Sequence, residues 1–403
     1  MALTSSPENE LLLACTQTDF QPETIQKLVQ QHLDWEGFLE KGIQSGLSPM
    51  IYSKLKKAGA TCHGPQSVID RFEGLYYGYT LENSKLYRTL GVLLSAFSKE
   101  NIPIIVLKGA ALAEYVYEEI GLRPMFDVDL LIRMEDIPVA EHLLEQLQYL
   151  PQEMSHPKEW YMTFHHHIVP YASPDGSLIL ELHHHIVPPS EPVTFPIIDM
   201  WQRARPARIA SVPTLVLSWE DMLLHLCLHA TLEHYFRGKL NALCDMAKVI
   251  NRFKDEIDWP QLLDSARSYQ VGKYVYYALW LSREMVGAVV PDTVLRELKA
   301  SFQCSSAEDI FIKTVYRKAV FQKVYFISSS FLPAWVVHDT FLELYSPKHT
   351  GEKLRAIINL TYQGFVRSAK DTAPRLGSLA PLYAITLHPV YLMIRAIRRR
   401  FSK

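Results

Sequence analysis

Within residues 123–133, the stretch RPMFDVDLLIR sets two aspartates one residue apart inside an apolar run. Successive side chains of a strand face opposite ways, so Asp127 and Asp129 point together while Phe126, Val128 and Leu130 cover the other face. Two neighbouring carboxylates raise each other's pKa and disfavour the doubly ionised pair unless a cation lies between them. The pattern asks for a metal ion. Its plain alternative is capping, or ion pairing with Arg123 and Arg133.

Just upstream, LKGAAL (residues 107–112) ends a β-branched run and opens a helical one. A glycine at a strand-to-helix turn lets the backbone approach a phosphate closely, and the free N–H groups of a helix start favour an anion. Lys108 adds a compact positive charge beside Gly109, and Arg123 offers a planar donor fork suited to phosphate. Glu181, acidic inside the apolar run SLILELHHH, is the candidate third carboxylate of a two-metal site, in which two ions clamp the attacking and leaving oxygens of an in-line displacement. The bland readings are an edge-strand charge facing solvent for Glu181 and a simple ion pair with an aspartate for Lys108.

The histidines suggest a different chemistry. His165 to His167 and His183 to His185 stand on the two arms of one expected hairpin, where cross-strand imidazoles can bind a transition metal. Alternation sends the middle histidine of each triplet to the opposite face, which favours structural roles for most of them and leaves His183 to orient Glu181 or the substrate. His225 and His229 share a helix face at four-residue spacing, with His234 nearby, but no HExxH arrangement accompanies them.

The elements that must position these groups follow from periodicity. Residues 7 to about 100 show apolar residues at three- and four-residue spacing, broken by Gly and Pro, as helices do. The period then changes. IPIIVLKG (102–109) and FDVDLLIR (126–133) read as strands, each followed by a helical segment, and 165–172 and 177–187 flank the turn signal Asp175-Gly176. From Trp219 onward the helical period returns and persists, with loops at 347–351 and 372–378. The expected class is α+β: a small mixed sheet flanked by helical segments, divided as 1–100, 101–215 and 216–403. An internal echo, LDWEGFLEKGIQSGL (33–47) against IDWPQLLDSARSYQV (257–271), reads as helix-start chemistry, with Asp34 and Asp258 as caps and the tryptophans packing.

Composition narrows the class. Across 403 residues, 48% hydrophobic and 21% charged, the chain is long and apolar enough for two or three core-forming domains. A formal net charge of −2 provides no whole-protein field for polyanions, so a nucleic-acid partner is not expected. Five cysteines without CxxC spacing fit a reducing cytoplasm. The N-terminus has acidic residues ahead of a very short apolar stretch, the wrong order for a signal peptide. No apolar run reaches membrane-spanning length; VYFISSSFLPAWVV (324–337) carries Pro333 and reads as a buried helical segment. The basic, amphipathic end, HPVYLMIRAIRRRFSK (388–403), is of the kind that lies on anionic membrane, or packs as a last helix with a solvated end.

Taken in order, VLKGAALAEYVYEEIGLRPMFDVDLLI and ILELHHH resemble the uncharacterised bacterial nucleotidyltransferase family of the polymerase-beta-like superfamily, with its Lys-Gly strand end, Arg before Asp-x-Asp, and Glu-Leu-His strand. HLCLHATLEH and LCDMAKVI resemble that family's His-rich helix and following Asp, so the similarity covers roughly residues 7–290. The resemblance implies a nucleotidyltransferase fold, Mg²⁺ dependence, and transfer of a nucleoside monophosphate from a nucleoside triphosphate, with pyrophosphate release. It matches Asp127 and Asp129 to the metal-binding pair, Glu181 to the third carboxylate, and Lys108-Gly109 to the nucleotide-binding turn. The broader superfamily usually has Gly-Ser or Gly-Gly there, closer to its aspartates. The resulting expectation is a cytoplasmic nucleotidyltransferase acting on an unidentified hydroxyl-bearing acceptor (small molecule, glycan or protein); its rival is a non-catalytic nucleotide-sensing or partner-binding module.

Overall fold

The computed structural model describes residues 6–321 apart from 153–157, 190–192, 194 and 235. The chain divides into units 1–323 and 324–403. Everything described lies in the first; the apolar segment 324–337, the expected loops at 347–351 and 372–378, and the basic tail lie outside the described residues.

The fold is mixed α/β. Seven strands, β1 (Ile105–Val106), β2 (Val128–Leu131), β3 (Leu150–Pro151), β4 (Tyr171–Ala172), β5 (Ile179–His183), β6 (Arg205–Ile209) and β7 (Val212–Val216), form one sheet in the order β3-β4-β5-β2-β1-β7-β6. The hairpin signalled by Asp175-Gly176 is present as antiparallel β4–β5, and Gly176 turns with φ +68°, a left-handed conformation that suits a residue without Cβ. At the centre, β2 runs antiparallel to β1 and parallel to β5, and β1 runs parallel to β7. Val128, Leu130, Leu180 and Leu182, paired across β2 and β5, are fully buried and form the core-facing side of the two strands.

Three strands escape the sequence reading: β3, at the end of an expected helical segment, and the pair β6 and β7. Residues 205–216 form the β6–β7 hairpin although Pro206 and Pro213 both interrupt it. Pro206 lies on β6, the edge strand, where proline is tolerated, and Pro213 on β7 precedes the two residues, Leu215 and Val216, that pair with β1. The turn between them, Ala210-Ser211, has both residues at positive φ (50° and 65°) without a glycine or asparagine to announce it. Conversely, the run 102–109 contributes only two paired residues, because the helix Lys108–Tyr115 begins inside it.

Helices flank the sheet. Among those of the N-terminal region, Gln66–Lys99 is 34 residues long and buries the stripe Leu86, Leu90, Leu93, Leu94 and Phe97. This spacing of three and four keeps one face toward the core. Asp34 and Asp258 do cap their helices, accepting from Gly37 and Gln261 backbone N–H at 3.0 Å each. Within the long helix, Asn83 is fully buried and donates Nδ2 to the carbonyls of Ile120 and, at 2.9 Å, Arg123. That fastens the loop ahead of the Asp-x-Asp strand. The same loop depends on Gly121, since a Cβ there would run into Oγ1, Cα and Cβ of Thr80. Gly121→Ala should destabilise the protein by about 1–3 kcal/mol, the usual cost of forced overpacking, read as a lower urea midpoint at unchanged slope.

Candidate active site

Parallel pairing of β2 with β5 sets Asp129 opposite Glu181 and Leu131 opposite His183. Paired residues of neighbouring strands share a face, and residues two apart do too, so Asp129, Glu181 and His183 project to the same side. Asp127 sits just before β2 begins and opens into the same cavity, of about 700 Å³, that Asp129 and Glu181 line. The structure thus brings all three expected carboxylates to one place. Phe126 does not cover an opposite face as strand alternation suggested: β2 starts two residues later, and Phe126 stands 72% exposed at the cavity, edge-on to Tyr79.

The carboxylates are held unequally. Asp129 Oδ1 accepts from His183 Nε2 at 2.8 Å and pairs with Lys108 Nζ at 3.1 Å. His183 Nε2 also lies 3.4 Å from Glu181 Oε2, and His167 Nε2 lies 3.6 Å from the same oxygen. Burial alone would raise the Asp129 carboxyl, but Lys108 and His183 overrule it and hold the group well below the usual range. Glu181 behaves alike: burial pushes up, and His183 and His167 bring the carboxyl below its ordinary value. Burial, then the charges of Asp129 and Glu181, push the Asp127 carboxyl up. His183, fully buried, is lowered by burial yet ends raised through its bonds to Asp129 and Glu181. Negative charge is crowded at Asp127.

Lys108 and Gly109 open the helix Lys108–Tyr115, and both line the cavity. The strained residue of this turn is the lysine, at φ +30°, while Gly109 takes an ordinary φ. A Cβ on Gly109 would stand 2.9 Å from Arg123 Nη1 and 3.3 Å from Met125 Sδ, so what approaches the glycine most closely is the Arg123 side chain.

Arg123 also lines the cavity, but its fork is engaged: Nε lies 3.2 Å from both Asp245 carboxylate oxygens and Nη2 donates to Oδ2 at 2.9 Å. Tyr117 completes the cluster by donating its hydroxyl to Asp245 Oδ1 at 2.6 Å. Asp245 stands in the family-like LCDMAKVI run, and a lone acid in an apolar helix was the available signal for a buried partner. Tyr117, amid YVYEE, gave none. Two elements separated by more than a hundred residues are therefore joined by one buried ion pair across the cavity's edge.

The histidines separate into groups. His165, His166 and His167 point together, with ring centroids 4.1–5.0 Å apart, because the chain bends there instead of running as a strand. Alternation, the basis for expecting the middle ring on the other face, does not apply to a bend. Burial and neighbouring imidazoles bring His165 down to about 4 and keep His166 and His167 below the ordinary histidine value. In the second triplet, His183 turns toward Asp129, and His185 pairs with the Phe195 carbonyl at 2.8 Å. His229 and His234, 3.1 Å apart at Nε2, line the cavity from the helical region, while His225 is buried behind them.

An acid-rich floor on paired strands, a lysine-glycine helix start and residues of the helical region thus line one cavity. The chain belongs to the uncharacterised nucleotidyltransferase family, whose model matches residues 31–287. Among solved structures, it is similar to an antigenic nucleotidyltransferase-like protein from Paracoccidioides brasiliensis, at 18% identity and a TM-score of 0.32, over 56% of this chain and 96% of that one. No curated protein matches. Among the described residues no helix is long and apolar enough to cross a membrane.

Proposed function

We propose that this protein transfers a nucleoside monophosphate from a nucleoside triphosphate to a hydroxyl-bearing acceptor, with release of pyrophosphate, and that Mg²⁺ accompanies the triphosphate. The observation that carries this reading is the Asp129–Glu181 pairing across β2 and β5, with Asp127 beside it in one cavity. Asp127, Asp129 and Glu181 would hold the metal. Their oxygen donors suit a hard cation, and the upward push on the Asp127 carboxyl from burial, Asp129 and Glu181 includes the charge crowding that a dication relieves. When bound, Mg²⁺ would neutralise the triphosphate and the charge that develops on the departing pyrophosphate.

The remaining work falls to the chain's own groups. Lys108, at the helix start with Gly109, faces the polyphosphate as a compact cation; Arg123, fixed on Asp245, shapes the wall beside it. The acceptor oxygen forms its bond to the α-phosphorus as the bond from that phosphorus to the α,β-bridging oxygen breaks. The acceptor's proton passes to the Glu181 carboxylate, which His183 keeps ionised. Where these groups are buried, as Asp129 is, such interactions are stronger than in water.

One observation favours a second reading. Lys108 Nζ already stands 3.1 Å from Asp129, where a cation would bind, which suits a module that senses nucleotide without turning it over. Pyrophosphate release separates the two. With Mg²⁺ and each nucleoside triphosphate, in the presence of a hydroxyl-rich acceptor mixture such as cell extract passed through a small-pore filter, transfer predicts stoichiometric pyrophosphate that disappears when the metal is chelated. Metal-dependent binding with no pyrophosphate from any triphosphate would favour the sensing module.

A further inference from the structure

The carboxylate site does not account for the neighbouring imidazoles. His165, His166 and His167 each present a ring nitrogen within 4.8 Å of the others, and His166 and His167 are more than nine-tenths buried. His165 Nδ1 is buried and finds no hydrogen-bond partner among the described residues, a costly state for a polar atom. His167 Nδ1 lies 2.6 Å from the Ile168 carbonyl. With the proton on Nδ1 donated to that oxygen, the Nε2 lone pair is aimed inward, the outer-shell arrangement that metal-bound histidines share. Yet inward lies Glu181 Oε2, 3.6 Å from Nε2. A lone pair facing a carboxylate across that gap is poor company unless a cation sits between them.

We infer that His165, His166 and His167, with Glu181 at the edge, form a binding site for a zinc-class divalent transition metal, distinct from the Mg²⁺ site on Asp127 and Asp129. Ligand atoms around tetrahedral zinc stand about 3.3 Å apart, given bonds of about 2.0–2.1 Å, so the 3.6 Å His167–Glu181 separation fits one shared ion, and the three histidine nitrogens, within 4.8 Å of one another, draw in by up to about 1.5 Å to complete it. Imidazole selects zinc, copper, nickel or iron over magnesium, while an all-carboxylate set does the reverse. Glu181 is then the one residue common to both centres. The inference does not depend on nucleotidyl transfer, since it concerns metal binding without nucleotide.

The test is titration of metal-depleted, tag-free protein with Co²⁺, reading the visible absorption of cobalt in a tetrahedral nitrogen-rich site. The wild type should take up one Co²⁺ per chain with this absorption. His165→Ala/His167→Ala should weaken uptake by more than about 100-fold, while Asp127→Asn leaves it unchanged. A large excess of Mg²⁺ should not remove the absorption, a measurement on wild-type protein that stands even where the histidine variant fails to fold. Absence of the absorption, its persistence in the folded histidine variant, or its loss to Mg²⁺ or to Asp127→Asn would each overturn the site. Retained Mg²⁺-dependent nucleotide binding alongside any of these results would leave the transfer reading untouched.

Discussion

Asp127→Asn should lower pyrophosphate release on the order of 10³-fold while leaving the folded protein at least as stable at pH 7 as the wild type. The two halves of this result come from one arrangement. Asp127 lies outside the strand ladder at the cavity, and burial and the charges of Asp129 and Glu181 push its carboxyl up. A carboxyl raised in the folded state costs stability once pH exceeds the ordinary aspartate value of 3.8, and the cost is complete above its folded pKa. Removing the charge therefore relieves repulsion at neutral pH and changes nothing in acid, so the melting temperatures of the two proteins should converge as pH falls below about 4. Such a trade of stability for function is common where a site must gather like charges. Calorimetric melts across pH together with initial rates check both halves; a clear fall in melting temperature at pH 7 would contradict the electrostatic account. Asp129 is the less informative position, because its removal would break the buried ion pair with Lys108 and confuse folding with catalysis.

Asp245→Ala should cost about 3–5 kcal/mol, the largest single-residue loss of stability expected here. Its carboxylate is 2% exposed and accepts from two nitrogens of Arg123 and from Tyr117, so truncation leaves a guanidinium and a phenol without their partner. Burial opposes the Arg123 charge, but Asp245 restores it and raises the group above its ordinary value. The effect should also reach function. Arg123 packs against Gly109 and precedes the Asp-x-Asp strand, and a shift of that loop displaces the lysine-glycine turn and the aspartates together. Chemical denaturation should show the loss, and the paired change Arg123→Met/Asp245→Leu should recover much of the stability without recovering turnover. An Asp245→Ala protein as stable as the wild type would show that the pair is not what joins these elements.

The sheet's centre was legible because its signals are local and concordant: Asp-x-Asp in an apolar run, a glycine-containing turn before β5, and a glutamate where no acid belongs. The β6–β7 hairpin was not, since two prolines argued against it and its left-handed turn uses Ala210 and Ser211. The direct pairing of Asp129 with Glu181 was not readable, because parallel register is a property of the folded sheet and leaves no mark in spacing. Alternation failed at Phe126 and at His166 for one reason, that both lie where the chain is not a strand. The engagement of Arg123 by Asp245 was hidden because complementary charges 122 residues apart cannot be matched by pattern.

The central claim is that three carboxylates and a metal together receive a nucleoside triphosphate. Isothermal titration of the protein with each of the four ribonucleoside triphosphates, with and without Mg²⁺, and repeated on Asp127→Asn, tests it most directly. The account predicts saturable binding of at least one triphosphate that weakens sharply when either the metal or the Asp127 carboxylate is removed. Binding that is equally tight without Mg²⁺ and in the variant, or no binding of any triphosphate, would contradict it.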